Sequence, residues 1–125
     1  MPTTTIESTP LDTPVQRRIA KRLTFWWRRH GVDVNHVLTV FRPAPALYSG
    51  PFPLPGPFAL VTCVVAADRT AQFRREYAHA VRDALTPDLP AQAVFLSFHP
   101  TDPTDHFGPH VPNWIPETPV LEAPR

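Results

Sequence analysis

The chain carries a single cysteine, Cys63, among its 125 residues. An internal disulfide is therefore excluded, and Cys63 falls inside an apolar run where it reads as a small apolar residue. An excess of charge of one sign is also missing, since 12 Lys and Arg stand against 11 Asp and Glu for a formal net charge of +1. No overall attraction to nucleic acid or to an anionic membrane follows. No apolar run approaches the length needed to cross a bilayer, and the start Met1-Pro2-Thr3 lacks the basic head and apolar stretch of a secretion signal. These absences predict a soluble, cytoplasmic protein with neither a nucleic-acid nor a membrane partner.

What is present argues for a folded chain. Hydrophobic residues make up 42% of it and three tryptophans are available for a core. The length suits one domain, 1–125. The 18 prolines are unevenly placed, six of them lying between Pro43 and Pro57. That stretch, 42–57, is expected to be a loop in which no helix forms.

On either side of the loop the same order of elements occurs. A strand over 3–8 is followed by Thr13-Pro14, a helix start with threonine as cap and proline at the first helical position. Val15, Ile19, Leu23, Trp26 and Trp27 then recur at helical spacing, and Gly31 is a suitable stop. Val37 to Phe41 reads as a second strand. After the loop, Phe58 to Ala66 is a buried strand, and Asp68 or Thr70 caps a helix carrying Phe73, Tyr77, Val81, Ala84 and Leu85. Ala93 to Phe98 closes the series, and 99–125 is a tail. A shift of 58 residues superimposes the halves without a gap: Ile19 meets Tyr77, Leu23 meets Val81, Trp27 meets Leu85 and Leu38 meets Leu96. Two tandem β-α-β units, 2–41 and 58–98, predict an α/β (α+β) fold, a four-stranded sheet with both helices on one face. The other face is expected to be apolar, uncovered and a cause of oligomerisation.

Pro2 heads the first strand. Once Met1 is removed, its nitrogen becomes a secondary amine, a base that an internal proline, with its amide nitrogen, cannot supply. An apolar pocket or a neighbouring cation lowers the pKa of such an amine towards neutrality, where proton transfer is efficient.

The stretches PTTTIEST, VLTVFRPAPALYSGPF, DRTAQFRREYAHAVRDAL and DHFGPHVP, taken in this order, resemble the tautomerase superfamily. Within it the chain is similar to the fused-subunit branch that includes the cis-3-chloroacrylic acid dehalogenases. The resemblance runs from Pro2 to about Pro116, and its order and spacing carry more weight than any one motif. It implies a homotrimer, no cofactor and no metal, and a site around the terminal proline acting on a small carboxylated keto, enol or unsaturated acid. Pro2 matches the catalytic proline and Arg69 the second of two substrate-binding arginines. The first of that pair falls on Ala66. The dehalogenase's helix histidine falls near Arg28, its last-strand tyrosine on Ser97, and its water-activating glutamate on His106, beside Asp105. Without that carboxylate, hydration of a halogenated acid is harder, whereas tautomerisation needs only a base and a cation.

The remaining charged groups have plainer readings beside functional ones. Arg17, Arg18, Lys21, Arg22, Arg28 and Arg29 form half the basic residues of the chain on one helix. They read as a solvated face, with Arg28 or Arg17 as candidates to bind an anionic substrate. Arg42, at the end of the second strand, is a further candidate cation. His99, Asp102, Asp105, His106 and His110 gather in the tail without a spacing that forces a metal site. Trp26 and Trp27 suit packing, Phe107 and Trp114 a pocket mouth or a pin for the tail, and the proline-rich loop a cover for the site. The expected enzyme is a tautomerase with Pro2, Arg69 and His106 as its catalytic set. Its alternatives are an eroded, non-catalytic binding protein, or a hydratase or decarboxylase of the same superfamily.

Overall fold

The computed structural model describes residues 1–109. The chain begins with β1 (Thr3–Ser8), whose side chains alternate between half-exposed and buried. α1 (Thr13–Arg29) follows, with Ile19, Leu23 and Trp27 buried along one stripe. Its cap is Asp12 rather than Thr13: the Asp12 carboxylate accepts from the Val15 N–H at 3.1 Å, and Thr13 is the first helical residue. A carboxylate suits that place because the first turn holds no other acid to meet the positive end of the helix dipole. Gly31 ends the helix as expected, at φ +88°, donating its N–H to the Arg28 carbonyl at 3.1 Å.

β2 (Leu38–Pro43) runs parallel to β1. The proline-rich loop is not structureless, for it carries a small hairpin of β3 (Tyr48–Ser49) and β4 (Phe52–Pro53), turning at Gly50. β5 (Ala59–Ala66) and α2 (Ala71–Leu85) come next, with Thr70 capping α2 through the Phe73 N–H at 3.0 Å. β6 (Val94–Thr101) is longer than its apolar pattern suggests and passes through Pro100. A proline fits there because β6 is an outer strand.

The sheet order is β2-β1-β5-β6, with antiparallel central strands and parallel outer pairs. Thr3 pairs with Leu38 and Val61 with Leu96, a separation of 35 residues in both units. The central ladder is symmetric as well, with Thr3 facing Val64 and Ile6 facing Val61. Ile6 and Val61 both face the helices, so the strands of the two units correspond at an odd shift, and the 58-residue match of buried faces holds for the helices alone. The duplicated pattern is thus a pseudo-twofold axis between β1 and β5.

Both helices cover one face of the sheet. Ile6, Val61, Cys63 and Val65 pack there with Ile19, Leu23, Trp27, Tyr77, Val81 and Leu85 in one core cluster. Burying each large side chain of this kind stabilises the fold by about 1.5–3 kcal/mol. Cys63 is fully buried, and burial pushes its thiol up to about 12, so it is a packing residue. Inside the core the Thr4 hydroxyl and the Tyr77 hydroxyl meet at 2.5 Å.

The uncovered face departs from expectation. Leu38, Val40, Leu60, Val64 and Phe95 alternate across its strands with Thr3, Thr5, Glu7, Arg42, Thr62 and Ser97, so it is mixed and not uniformly apolar.

Candidate active site

Pro2 stands buried at the head of β1, and its carbonyl accepts from the Leu38 N–H at 2.9 Å. The ladder therefore fixes its backbone, and a residue without an N–H costs the sheet nothing at that end. Met1 precedes it, half-exposed. The Met1 α-amine lies 3.0 Å from Nδ1 of His106. Burial lowers the pKa of this amine from its ordinary value, and the positive charge of Arg69 lowers it further.

Arg69 owes its place to the turn between β5 and α2. Its N–H donates to the Ala66 carbonyl at 3.1 Å, and its own carbonyl accepts from the Arg74 guanidinium at 2.6 Å. Its guanidinium lies over the rings of Phe73, 4.6 Å from the centroid, and Trp27, 5.5 Å away. Those rings belong to an aromatic cluster in which Trp26 meets Trp27 edge-on at 5.3 Å and stacks on His30 at 4.0 Å. The tryptophan pair thus packs the helices, as expected, and Trp27 with Phe73 also holds the Arg69 guanidinium.

His106 reaches the amine from a 3₁₀ turn, Pro103–Asp105, that follows β6. It is only 7% exposed. Nε2 contacts the Thr101 hydroxyl, so both ring nitrogens are engaged. Burial lowers the His106 pKa, the nearby amine lowers it too, and Asp105 and Asp102 oppose the change. The Asp102 carboxylate is itself held low, chiefly by the Thr104 N–H at 2.9 Å and then by the Thr104 hydroxyl at 2.8 Å.

Two cavities meet at Met1. One, of about 300 Å³, lies on the helix side and is lined by Met1, Pro2, Trp27, Asp33, His36, Ala66 and Arg69. The other, of about 340 Å³, lies towards the open face and is lined by Met1, Thr3, Val64, Thr101, His106 and Phe107. An amine flanked by a guanidinium on one side and an imidazole on the other can exchange protons with an anionic substrate.

Pro2 and Arg69 line one cavity, and His106 meets the amine of Met1, the residue before Pro2. The other four assigned residues do not join them within the chain. Arg28 is exposed, 5.9 Å over the Phe25 ring, and lines neither cavity. Arg17 is exposed ten residues before Trp27 on α1, about 15 Å back along the helix. Arg42 pairs with Glu7 at the opposite end of the sheet, roughly 13 Å from Leu38 along β2, because a parallel β2 starts beside Pro2 and runs away from it. Ser97 is exposed on β6 and pairs with Thr62 in the middle of the sheet.

The proline-rich loop does not cover this site either. Ala44 is tied to Ser8 at 2.9 Å, and Leu47, Tyr48 and Leu54 border a cavity with Leu60 and Phe95, at the far end of the sheet. His99 is exposed on β6, and among the described residues no three His, Cys, Asp or Glu side chains converge as metal ligands. His110 and Trp114 lie outside the described residues. Thr101, Asp33 and His36 line the cavities without having been singled out. Only a strand drawn past Pro100 would have brought Thr101 into view.

No family model matches the chain, and no curated protein matches it. Solved structures do. It is similar to N1, a member of the cis-3-chloroacrylic acid dehalogenase family, with a TM-score of 0.77 at 17% identity, over 85% of this chain and 79% of that one. Native fused 4-OT matches with a TM-score of 0.72 at 20% identity, over 87% and 93% of the two chains. A fused 4-OT described as a symmetric trimer matches with a TM-score of 0.72 at 16% identity, again over 87% and 93%. Among the described residues no helix is long and apolar enough to cross a membrane.

Proposed function

We propose that this chain, whose fold is that of the tautomerase superfamily, is a cofactor-independent tautomerase acting on a small keto, enol or unsaturated carboxylic acid through Pro2, freed by loss of Met1. The observation that carries this reading is that Pro2 lines one cavity with Arg69 while the Met1 amine beside it meets His106 at the same end of the sheet. The neutral amine takes a proton from the enol oxygen or the α-carbon and becomes an ammonium. It then returns that proton to the other atom of the enol system, so no group is consumed. Arg69 binds the substrate carboxylate and stabilises the negative charge that develops in between. His106, neutral at pH 7, accepts a hydrogen bond from the amine or from the substrate hydroxyl. Like the symmetric-trimer neighbour, the chain is proposed to form a homotrimer, with its open sheet face as one buried surface.

The test is turnover of phenylenolpyruvate by the processed protein, confirmed free of Met1 by intact mass. Pro2→Ala and a form that keeps Met1 should both lose activity. Either variant turning over the enol like the parent would sink the mechanism.

One observation favours a second reading. Ala66 lines the cavity beside Arg69, where the resemblance expects another arginine, so a substrate carboxylate meets one cation there. A trimer that binds a small acid without converting it is the outcome if ligand binding persists and no enol is turned over.

A further inference from the structure

We propose that Thr101 is a positioning residue: it fixes which nitrogen of His106 carries the proton, and so presents the terminal amine with a bare acceptor. The argument starts from one hydrogen. The Thr101 hydroxyl donates to the Val65 carbonyl at 3.4 Å. A hydroxyl has a single proton, so what Thr101 turns towards His106 is a lone pair. Nε2 must then be the nitrogen that bears hydrogen and donates to Thr101 Oγ1. A neutral imidazole has one N–H, which leaves Nδ1 bare.

The other end of the chain of bonds is compatible with this direction. Nδ1 faces the α-amine at 3.0 Å. An ammonium can only donate there, whereas a neutral amine can donate or accept, so for the neutral amine the direction is set from the Thr101 side. The direction thus runs from amine to Nδ1, from Nε2–H to Thr101 Oγ1, and from the Thr101 hydroxyl to the backbone of β5. Thr101 is itself anchored: it pairs with Ala66, and its carbonyl accepts from the Ala67 N–H at 2.7 Å. The titratable groups that act on His106 include the amine and, from its own turn, Asp105 and Asp102; Arg69, just before α2, acts on the amine.

The direction matters for a secondary amine. Neutral Pro2 would have one N–H and one lone pair. Giving the N–H to bare Nδ1 leaves the lone pair directed away from His106, available to take a substrate proton. With the opposite tautomer, His106 would donate into that lone pair and silence the base. This consequence rests on the proposed function, whereas the Thr101–His106 half does not depend on which residue carries the amine.

The experiment is nitrogen-15 NMR of the His106 ring in the parent, Thr101→Ser and Thr101→Val, beside pH profiles of kcat. The parent and Thr101→Ser should show His106 as the Nε2–H tautomer. Thr101→Val should shift towards Nδ1–H and lose kcat by at least about 10-fold with KM little changed, and Thr101→Ser should restore it. An Nδ1–H tautomer in the parent overturns the inference, and so does a Thr101→Val ring indistinguishable from the parent's. The parent spectrum decides the matter even if Thr101→Val does not fold. An Nε2–H ring that follows Thr101 in a protein with no turnover sinks the proposed function and leaves this inference standing.

Discussion

The Met1 α-amine meets Nδ1 of His106 at 3.0 Å although 105 residues separate them in the chain. The contact ties the head of a central strand to the turn that leaves an outer one. Each group is displaced towards its neutral form, the amine by burial and then by Arg69, His106 by burial and then by the amine. The first two predictions follow from these displacements.

Catalysis by the amine needs it unprotonated, so activity should rise with pH through the amine pKa. That limb should lie below the range ordinary for a terminal amine, because burial lowers the value and Arg69 adds to the effect. That direction belongs to the Met1 amine, and Pro2 lines the same cavity as Arg69. Arg69→Gln should move the limb to higher pH and raise KM by about 10- to 100-fold. A pH profile of kcat/KM in both proteins checks it. An unmoved limb would mean that Arg69 does not act on the base.

Stability should fall on the acid side because of His106. Its folded pKa is depressed by burial, so below about pH 6.5 the unfolded chain binds a proton that the folded one resists. The contribution is fully present above that value and is lost as pH falls through the lowered one. Urea denaturation of the parent should show this loss, and His106→Asn should flatten it. Equal slopes in the two proteins would exclude His106 as the cause.

The hydroxyl pair in the core offers a packing test. Tyr77→Phe leaves the buried Thr4 hydroxyl without the partner it meets at 2.5 Å, at a cost of about 1–3 kcal/mol. Thr4→Val together with Tyr77→Phe should cost less than the two single changes added. Strict additivity in urea denaturation would show that the hydroxyls do not interact.

The helix cap separates two adjacent candidates. Asp12→Ala should destabilise the protein by about 1 kcal/mol, because the Val15 N–H loses its acceptor. Thr13→Ala should be nearly neutral. The reverse order in thermal denaturation would restore threonine as the cap.

The fold was legible because its signals are local or repeated. Ile19, Leu23 and Trp27 mark a helical stripe without reference to the rest of the chain, and the 58-residue shift carries it onto the buried stripe of Tyr77, Val81 and Leu85, although on the strands the same shift exchanges the two faces. The site was legible only where a residue sits next to an element boundary. Pro2 begins a strand, and Arg69 follows one. Arg42 also sits at a strand end, yet it is the wrong end, and only the direction of β2 relative to β1 decides that. Thr101 and His36 depend on long-range pairing and on a turn, which no short periodicity encodes. The open face was misjudged because a threonine such as Thr5 or Thr62 suits a strand as well as valine does, so strand propensity says little about polarity.

The two units are out of step by one residue between helix and strand. The helices match at a shift of 58, Ile19 with Tyr77 and Leu23 with Val81, yet Pro2 is buried on the helix side and Leu60 is exposed on the open face. Strand side chains alternate between faces, so β1 and β5 can correspond only at an odd shift. One residue more or fewer in the link between strand and helix is thus enough to decide which side chain of each unit looks into the core, and numbering alone does not carry a site from one half to the other.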